Sequence, residues 1–224
     1  NILCVIPARG GSKGFPGKNI APLLGLPLLA HTIRQAQGAE TRMRIVVSTD
    51  DDEITEVAYK FGAEVIHRPP ELAADRAPSE WALIHALSEI RKEGFEPSII
   101  MMLQCTSPIR RSADIDKAIN MLYDTGADSL LSGVAAHQFI WQGARNDVRP
   151  LNYDYRARPI RQYRPAEWVE NGSIYMCKRW VLDDMANRLG GKIAIYEMGY
   201  WSMFEIDSVD DLDLCEWIMS REGI

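Results

Sequence analysis

Long apolar runs are missing from these 224 residues: no stretch approaches the roughly 20 apolar residues of a membrane-spanning helix, so no membrane partner is expected. An excess of positive charge is missing too. Lys and Arg number 25 against 31 Asp and Glu, giving a net charge of −6, and the sequence pI is about 5.3. That balance argues against a broad nucleic-acid surface and leaves the basic residues as local tools. The four cysteines, Cys4, Cys105, Cys177 and Cys215, stand far apart, with neither a C-x-x-C pair nor a disulfide pattern, and are expected to be reduced core thiols. His31, His67, His85 and His137 lack metal-ligand spacing, and no Gly-x-Ser-x-Gly or Cys/His arrangement points to a hydrolase. No basic-then-apolar leader follows Asn1, and a cytoplasmic location is expected.

What is present begins at once. The apolar run Ile2–Ile6 empties into Pro7-Ala8-Arg9-Gly10-Gly11-Ser12-Lys13-Gly14-Phe15-Pro16-Gly17-Lys18-Asn19. Glycines let backbone N–H groups turn toward one anion, and Arg9, Lys13 and Lys18 bring positive charge, so the loop suits a nucleoside triphosphate. It is not a Walker A loop, because Asn19 follows Gly17-Lys18, and it is not G-x-G-x-x-G, because Ser12 stands two places after Gly10.

Apolar runs at Ile2–Ile6, Ile45–Ser48, Glu64–His67 and Ile99–Gln104 alternate with helical patterns at Leu28–Gln37, Asp52–Phe61 and Ser79–Lys92. This rhythm predicts an α/β fold with a doubly wound, mostly parallel sheet whose post-strand loops converge on one edge. A helix at Ala113–Tyr123 and a strand at Ser129–Val134 follow. The stretch 138–169 has no clean period, yet its arginines and aromatics argue against disorder, and it reads as an arm. Regularity returns with a strand at Ser173–Cys177, a helix over Arg179–Arg188, strands at Ile193–Glu197 and Met203–Ile206, and a last helix from Val209. The expected organisation is one domain, 1–224, carrying that arm.

Glu205-Ile206-Asp207 places two carboxylates on one strand face, a spacing that suits one divalent ion, Mg²⁺ or Mn²⁺. Ser208 reads as the N-cap of the next helix, with Asp210 and Asp211 in its first turn. Pro69-Pro70 stiffens a loop that could present Arg68 and Ser79 to a nucleotide, with Ser79 also read as a helix N-cap. Gln104 puts a polar amide at the end of a buried strand, where it needs a partner or a ligand.

In their order along the chain, several segments resemble the CMP-sialic acid synthetases, the acylneuraminate cytidylyltransferases. They are Pro7–Gly14 with Lys18-Asn19, Val47–Asp50, Arg68–Ala73 with Asp75 and Ser79, Gln104–Pro108, His137–Phe139, Arg161-Gln162, Glu170–Ser173 and Glu205–Asp207. The resemblance covers essentially the whole chain. It implies a nucleotidyltransferase that moves CMP from CTP to the anomeric hydroxyl of a sialic acid or related nonulosonic acid and releases pyrophosphate. An eight-carbon sugar acid as acceptor, or a CTP-binding relative without turnover, are the alternatives. The nucleotide would be held by Ala8, Arg9, Gly10, Gly11, Ser12, Lys13, Lys18, Asn19, Arg68 and Ser79, and the sugar by Gln104, Arg161, Gln162 and Asn171. Arg9, Lys18 and Asp207 would carry the chemistry. Asp207 would hold the metal, with Glu205, where the family often has Asp, either completing its shell or acting through water. The resemblance also implies a homodimer in which the arm lends Arg161 to the partner's site. Ala135-Ala136 stands where one branch of the family carries an arginine pair before the histidine.

Overall fold

Ile2, Cys4 and Ile6 of strand β1 (Ile2–Pro7) pack into one apolar layer and Leu3 and Val5 into another, which explains why this strand is apolar throughout rather than alternating. The computed structural model describes residues 1–11, 14–74 and 77–224. After the two-residue strands β2 (Pro22–Leu23) and β3 (Leu26–Pro27) come α1 (Leu28–Gln37), β4 (Arg44–Thr49), α2 (Asp52–Lys60), β5 (Glu64–His67), α3 (Ser79–Lys92) and β6 (Ile99–Leu103). The second half supplies α4 (Ser112–Thr125), β7 (Ser129–Ala136), β8 (Trp141–Ala144), β9 (Asp147–Pro150), β10 (Glu167–Lys178), α5 (Arg179–Met185), β11 (Ile193–Met198) and α6 (Val209–Glu222).

Seven strands form the central sheet in the order β11-β7-β10-β6-β1-β4-β5. Every neighbouring pair is parallel except the two that involve β10, which runs against both β6 and β7. Helices α1, α2, α4 and α6 cover one face through residues such as Ile33, Ile54, Ile119 and Ile218. The other face is covered by α3 and α5 through Leu83, Leu87, Ile90, Val181 and Leu182. The expected fold class is the one observed. All four cysteines are free and buried, and burial pushes Cys4 and Cys105 up to about 12, so they behave as neutral apolar side chains.

Several expectations are corrected. The strand expected from Ser173 begins at Glu167 and carries a register irregularity between Glu170 and Tyr175. The stretch 138–169 holds the β8–β9 hairpin and short 3-10 turns at Tyr155–Ala157 and Arg161–Tyr163. No strand forms over Met203–Ile206. A 3-10 turn spans Tyr200–Met203, and the following segment makes one sheet-like bond, from Ile206 N–H to the Thr106 carbonyl at 2.7 Å. Rings of Tyr200, Trp201, Phe204 and Trp217 pack together there, so aromatic packing rather than strand pairing holds the segment. The helix expected to reach Arg188 ends at Met185, where Ala186 takes a left-handed φ of 49°.

Candidate active site

The carboxyl ends of β1, β5 and β6 open onto a cleft of about 290 Å³, the edge where open α/β sheets bind ligands. Arg9, Lys18, Arg68, Ser79, Gln104, Glu205 and Asp207 line it together, although they span nearly the whole sequence. Ser12, Lys13 and Asp75 lie outside the described residues.

The loop after β1 is pinned from below. Ala8 is buried and its N–H donates to the Ser48 carbonyl at 3.0 Å, so its amide serves the sheet rather than a nucleotide. Asn19, also among the expected nucleotide contacts, is buried and donates to the Arg9 carbonyl at 3.0 Å; it borders the cleft while fixing where Arg9 leaves the strand. The N–H of Gly10 donates to Asp50 Oδ1 at 3.2 Å, and a Cβ on Gly10 would run into the Asp51 carboxylate. Asp51 itself caps α2 by accepting from Ile54 N–H at 2.9 Å. Glycine is therefore required at position 10 by close approach. Gly11 has open space where a Cβ would go and does not line the cleft.

Three cationic side chains, Arg9, Lys18 and Arg68, border the cleft. Lys18 donates to Asp207 Oδ1 at 2.8 Å and to the Ile206 carbonyl at 3.2 Å. Arg68 is buried, donates through Nη2 to the Ser48 carbonyl at 3.1 Å, and has no partner for Nε among the described residues. Burial, and to a lesser degree Arg9, lowers its pKa, while Asp50 opposes them. An orphaned donor on a buried guanidinium suits an anionic ligand. Arg9 Nη1 lies 3.5 Å from the Ala73 carbonyl, which places it over the same cleft. Ser79 does not cap α3 as expected: Pro78 is the N-cap residue, and Ser79 lines the cleft as the first helical residue. Ser208 does cap α6, in a capping box with Asp211.

The two carboxylates are not on one strand face. Asp207 is exposed and paired with Lys18, whereas Glu205 is half-buried, and burial first, then the Asp207 charge, raises its pKa. Below Glu205 lies Gly172, in the left-handed region at φ +66°. A Cβ there would sit 2.5 Å from Glu205 Oε1 and 2.8 Å from both Gln104 Oε1 and Ser107 Oγ. Gly172 is the floor that lets the carboxylate and the amide come together; in the sequence it stands in the polar segment Glu170-Asn171-Gly172-Ser173, a glycine inside a strand that marks a close approach.

Three expected sugar contacts stand elsewhere. Asn171 is fully buried; its Oδ1 accepts from Ser132 Oγ at 2.6 Å and its Nδ2 donates to Ser202 Oγ at 2.9 Å, so its side chain is spent inside the fold. Arg161 and Gln162 sit on the arm. Arg161 lines a separate hollow with His137, Arg164, Glu167, Trp168 and Glu197, and Gln162 lines neither space.

A family profile described as cytidylyltransferase matches residues 3–212. The N-acylneuraminate cytidylyltransferase of Oncorhynchus mykiss is 36% identical over 227 residues, which cover 100% of this chain and 51% of the relative. The post-translational flagellin modification protein B of Campylobacter coli is 31% identical over 229 residues, covering 100% of this chain and 97% of that one. The chain thus spans about half the length of the fish relative and nearly all of the bacterial one. Among solved structures, CMP:2-keto-3-deoxy-manno-octonic acid synthetase complexed with CTP superposes with a TM-score of 0.73 at 20% identity, covering 99% of both chains, a likeness of fold. With the profile spanning the sheet and the cleft, and relatives of that name aligned along its length, this chain belongs to the cytidylyltransferase family.

Proposed function

We propose that this chain transfers CMP from CTP to the anomeric hydroxyl of a sialic acid or related nonulosonic acid. The observation that carries the reading is the convergence of Arg9, Lys18 and Arg68 with Gln104, Glu205 and Asp207 in one cleft of a cytidylyltransferase fold. Relatives named N-acylneuraminate cytidylyltransferase, aligned along the full chain, favour a nine-carbon acceptor over an eight-carbon one.

In this reading Arg9, Lys18 and the unpartnered Nε of Arg68 take the phosphates, and Gln104, at the end of β6, orients the acceptor. The anomeric oxygen forms a bond to the α-phosphorus, the bond to pyrophosphate breaks, and the hydroxyl proton leaves to solvent. Positioning and charge neutralisation lower the barrier. The residues present fit a divalent ion: Asp207 and Glu205 offer hard oxygen donors, burial first and then the Asp207 charge raise Glu205, and a cation would relieve the repulsion between them. Among the described residues no cluster of three such side chains occurs, so phosphate oxygens and water would complete the shell. Mg²⁺ or Mn²⁺ held there would draw charge from the phosphates.

The arm supports a homodimer with shared sites, since Ile160 and Tyr163 beside Arg161 are 61% and 79% exposed and Arg161 lies outside its own chain's cleft. No helix among the described residues is long and apolar enough to cross a membrane, and the proposed location is the cytoplasm.

The test is a matrix of CTP, UTP and GTP against nine-carbon and eight-carbon sugar acids, read as pyrophosphate release. CTP with a nine-carbon acid is expected to exceed every other pair by at least ~10-fold, since the wrong acceptor leaves polar groups of the cleft unpaired. Faster release with UTP or GTP, or with the eight-carbon acid, overturns the assignment.

A further inference from the structure

Among the described residues Arg110 is the largest side chain that is fully buried, at 0% exposure, and it does not line the cleft. Burial lowers its pKa to about 10, which leaves it charged at neutral pH. Its hydrogen bonds go to neutral acceptors: the Ser173 carbonyl at 2.6 Å, Ser173 Oγ at 3.0 Å, Gln35 Oε1 at 3.0 Å and Thr32 Oγ1 at 3.4 Å. Among the described residues no carboxylate forms an ion pair with it. Asp114 is the carboxylate whose charge favours the charged form of Arg110, without an ion pair, and Arg110 Nε has no partner among the described residues. A charge enclosed on those terms is expensive, and an apolar side chain of similar volume would fill the same space. Something other than packing accounts for it.

What the guanidinium fork does is tie α1, through Thr32 and Gln35, to β10 at Ser173. Gln35 also donates to the Pro108 carbonyl at 2.8 Å, so the loop leading from Gln104 is held in the same network. Ser173 follows Gly172, the floor beneath Glu205 and Gln104. On the other side of Gly172, Asn171 is clamped by Ser132 and Ser202, and Ser132 Oγ also accepts from Ile174 N–H at 2.8 Å. Gly172 therefore sits in the irregular part of β10 with a buried side-chain clamp on each flank.

We infer that Arg110 is a positioning residue, which fixes the left-handed turn at Gly172 and through it the relative placement of Gln104 and Glu205 on the acceptor side of the cleft. The inference rests on the proposed transferase reading for its kinetic part only. It acts on the acceptor side and on turnover, because the groups that would reach the phosphates are held elsewhere: the Arg9 carbonyl accepts from Asn19, Arg68 donates to Ser48 of β4, and Lys18 donates to the Ile206 carbonyl.

The test replaces Arg110 by Met, close in volume and uncharged, and by Lys, which keeps the charge but loses the fork. Arg110→Met is expected to lower kcat about 30-fold and to raise KM for the sugar while KM for CTP stays within about 2-fold, and Arg110→Lys to recover part of the loss. In hydrogen exchange, residues 171–174 should lose protection while β1 and β4 keep theirs. Wild-type kcat and unchanged exchange in Arg110→Met overturn the inference and leave Arg110 as core filling. Should that variant not fold, Ser173→Ala and Gln35→Leu decide it, since each removes one of the acceptors; wild-type kinetics and exchange in both overturn it equally. If the wild type itself releases no pyrophosphate, the transferase reading fails, while the exchange experiment still judges Arg110.

Discussion

Asp207→Asn is expected to lower kcat at least ~100-fold while leaving the fold and CTP affinity nearly intact, because Asp207 would hold the divalent cation that offsets the negative charge of the leaving group, a contribution worth several kcal/mol in the transition state. The side chain is 79% exposed and its ion pair with Lys18 crosses the mouth of the cleft, so the near-isosteric change disturbs no packing. With its carboxylate end this exposed, the pair adds about 0–1 kcal/mol to stability, and thermal unfolding should move little. Glu205→Gln should cost less, since Glu205 already has its charge disfavoured by burial. Turnover above about a tenth of wild type in Asp207→Asn at saturating Mg²⁺ would remove Asp207 from the metal role.

The second large effect is a gain, obtained by mixing two defective chains. Arg161→Ala and Asp207→Asn proteins are each expected to be nearly inactive. Within one chain Arg161 lines a hollow with His137 and Trp168, and Lys18 and Asp207 line the cleft, so Arg161 could serve the cleft of a partner. In the proposed dimer with shared sites, random pairing after subunit exchange makes about half the dimers mixed, and each mixed dimer would hold one site with both defects and one with neither. Activity should rise to about a quarter of wild type. A mixture that stays inactive while native mass measurement confirms mixed dimers would place Arg161 within its own chain.

The parallel half of the sheet was legible because both of its faces are buried: Ile2–Ile6 and Ile99–Leu103 read as continuous apolar strands, and loops after such strands must meet at one edge. The same logic explains what was missed. Strands β8 and β9 are exposed along almost their whole length, so they lack the buried face that gives a strand its period, and the arm read as irregular. At Met203–Ile206 the segment looked like a strand, but Phe204 packs against the Trp201 ring and Ile206 is buried in the core. Asn171 was expected on the sugar, and the structure spends its amide on Ser132 and Ser202, an approach that only the three-dimensional fold brings about. Arg110 gave no signal at all, since nothing in a local sequence says that an arginine after Pro108-Ile109 will be enclosed between a helix and an antiparallel strand.

The central claim, that this cleft moves the cytidylyl group rather than merely holding the nucleotide, is tested most directly with CTP labelled at the α-phosphate in one reaction and at the γ-phosphate in another. Each is incubated with the protein, Mg²⁺ and N-acetylneuraminic acid. The α-label is expected in a sugar-linked product and the γ-label only in pyrophosphate. Stoichiometric CTP binding by calorimetry with no α-label reaching any nine-carbon or eight-carbon sugar acid would contradict it.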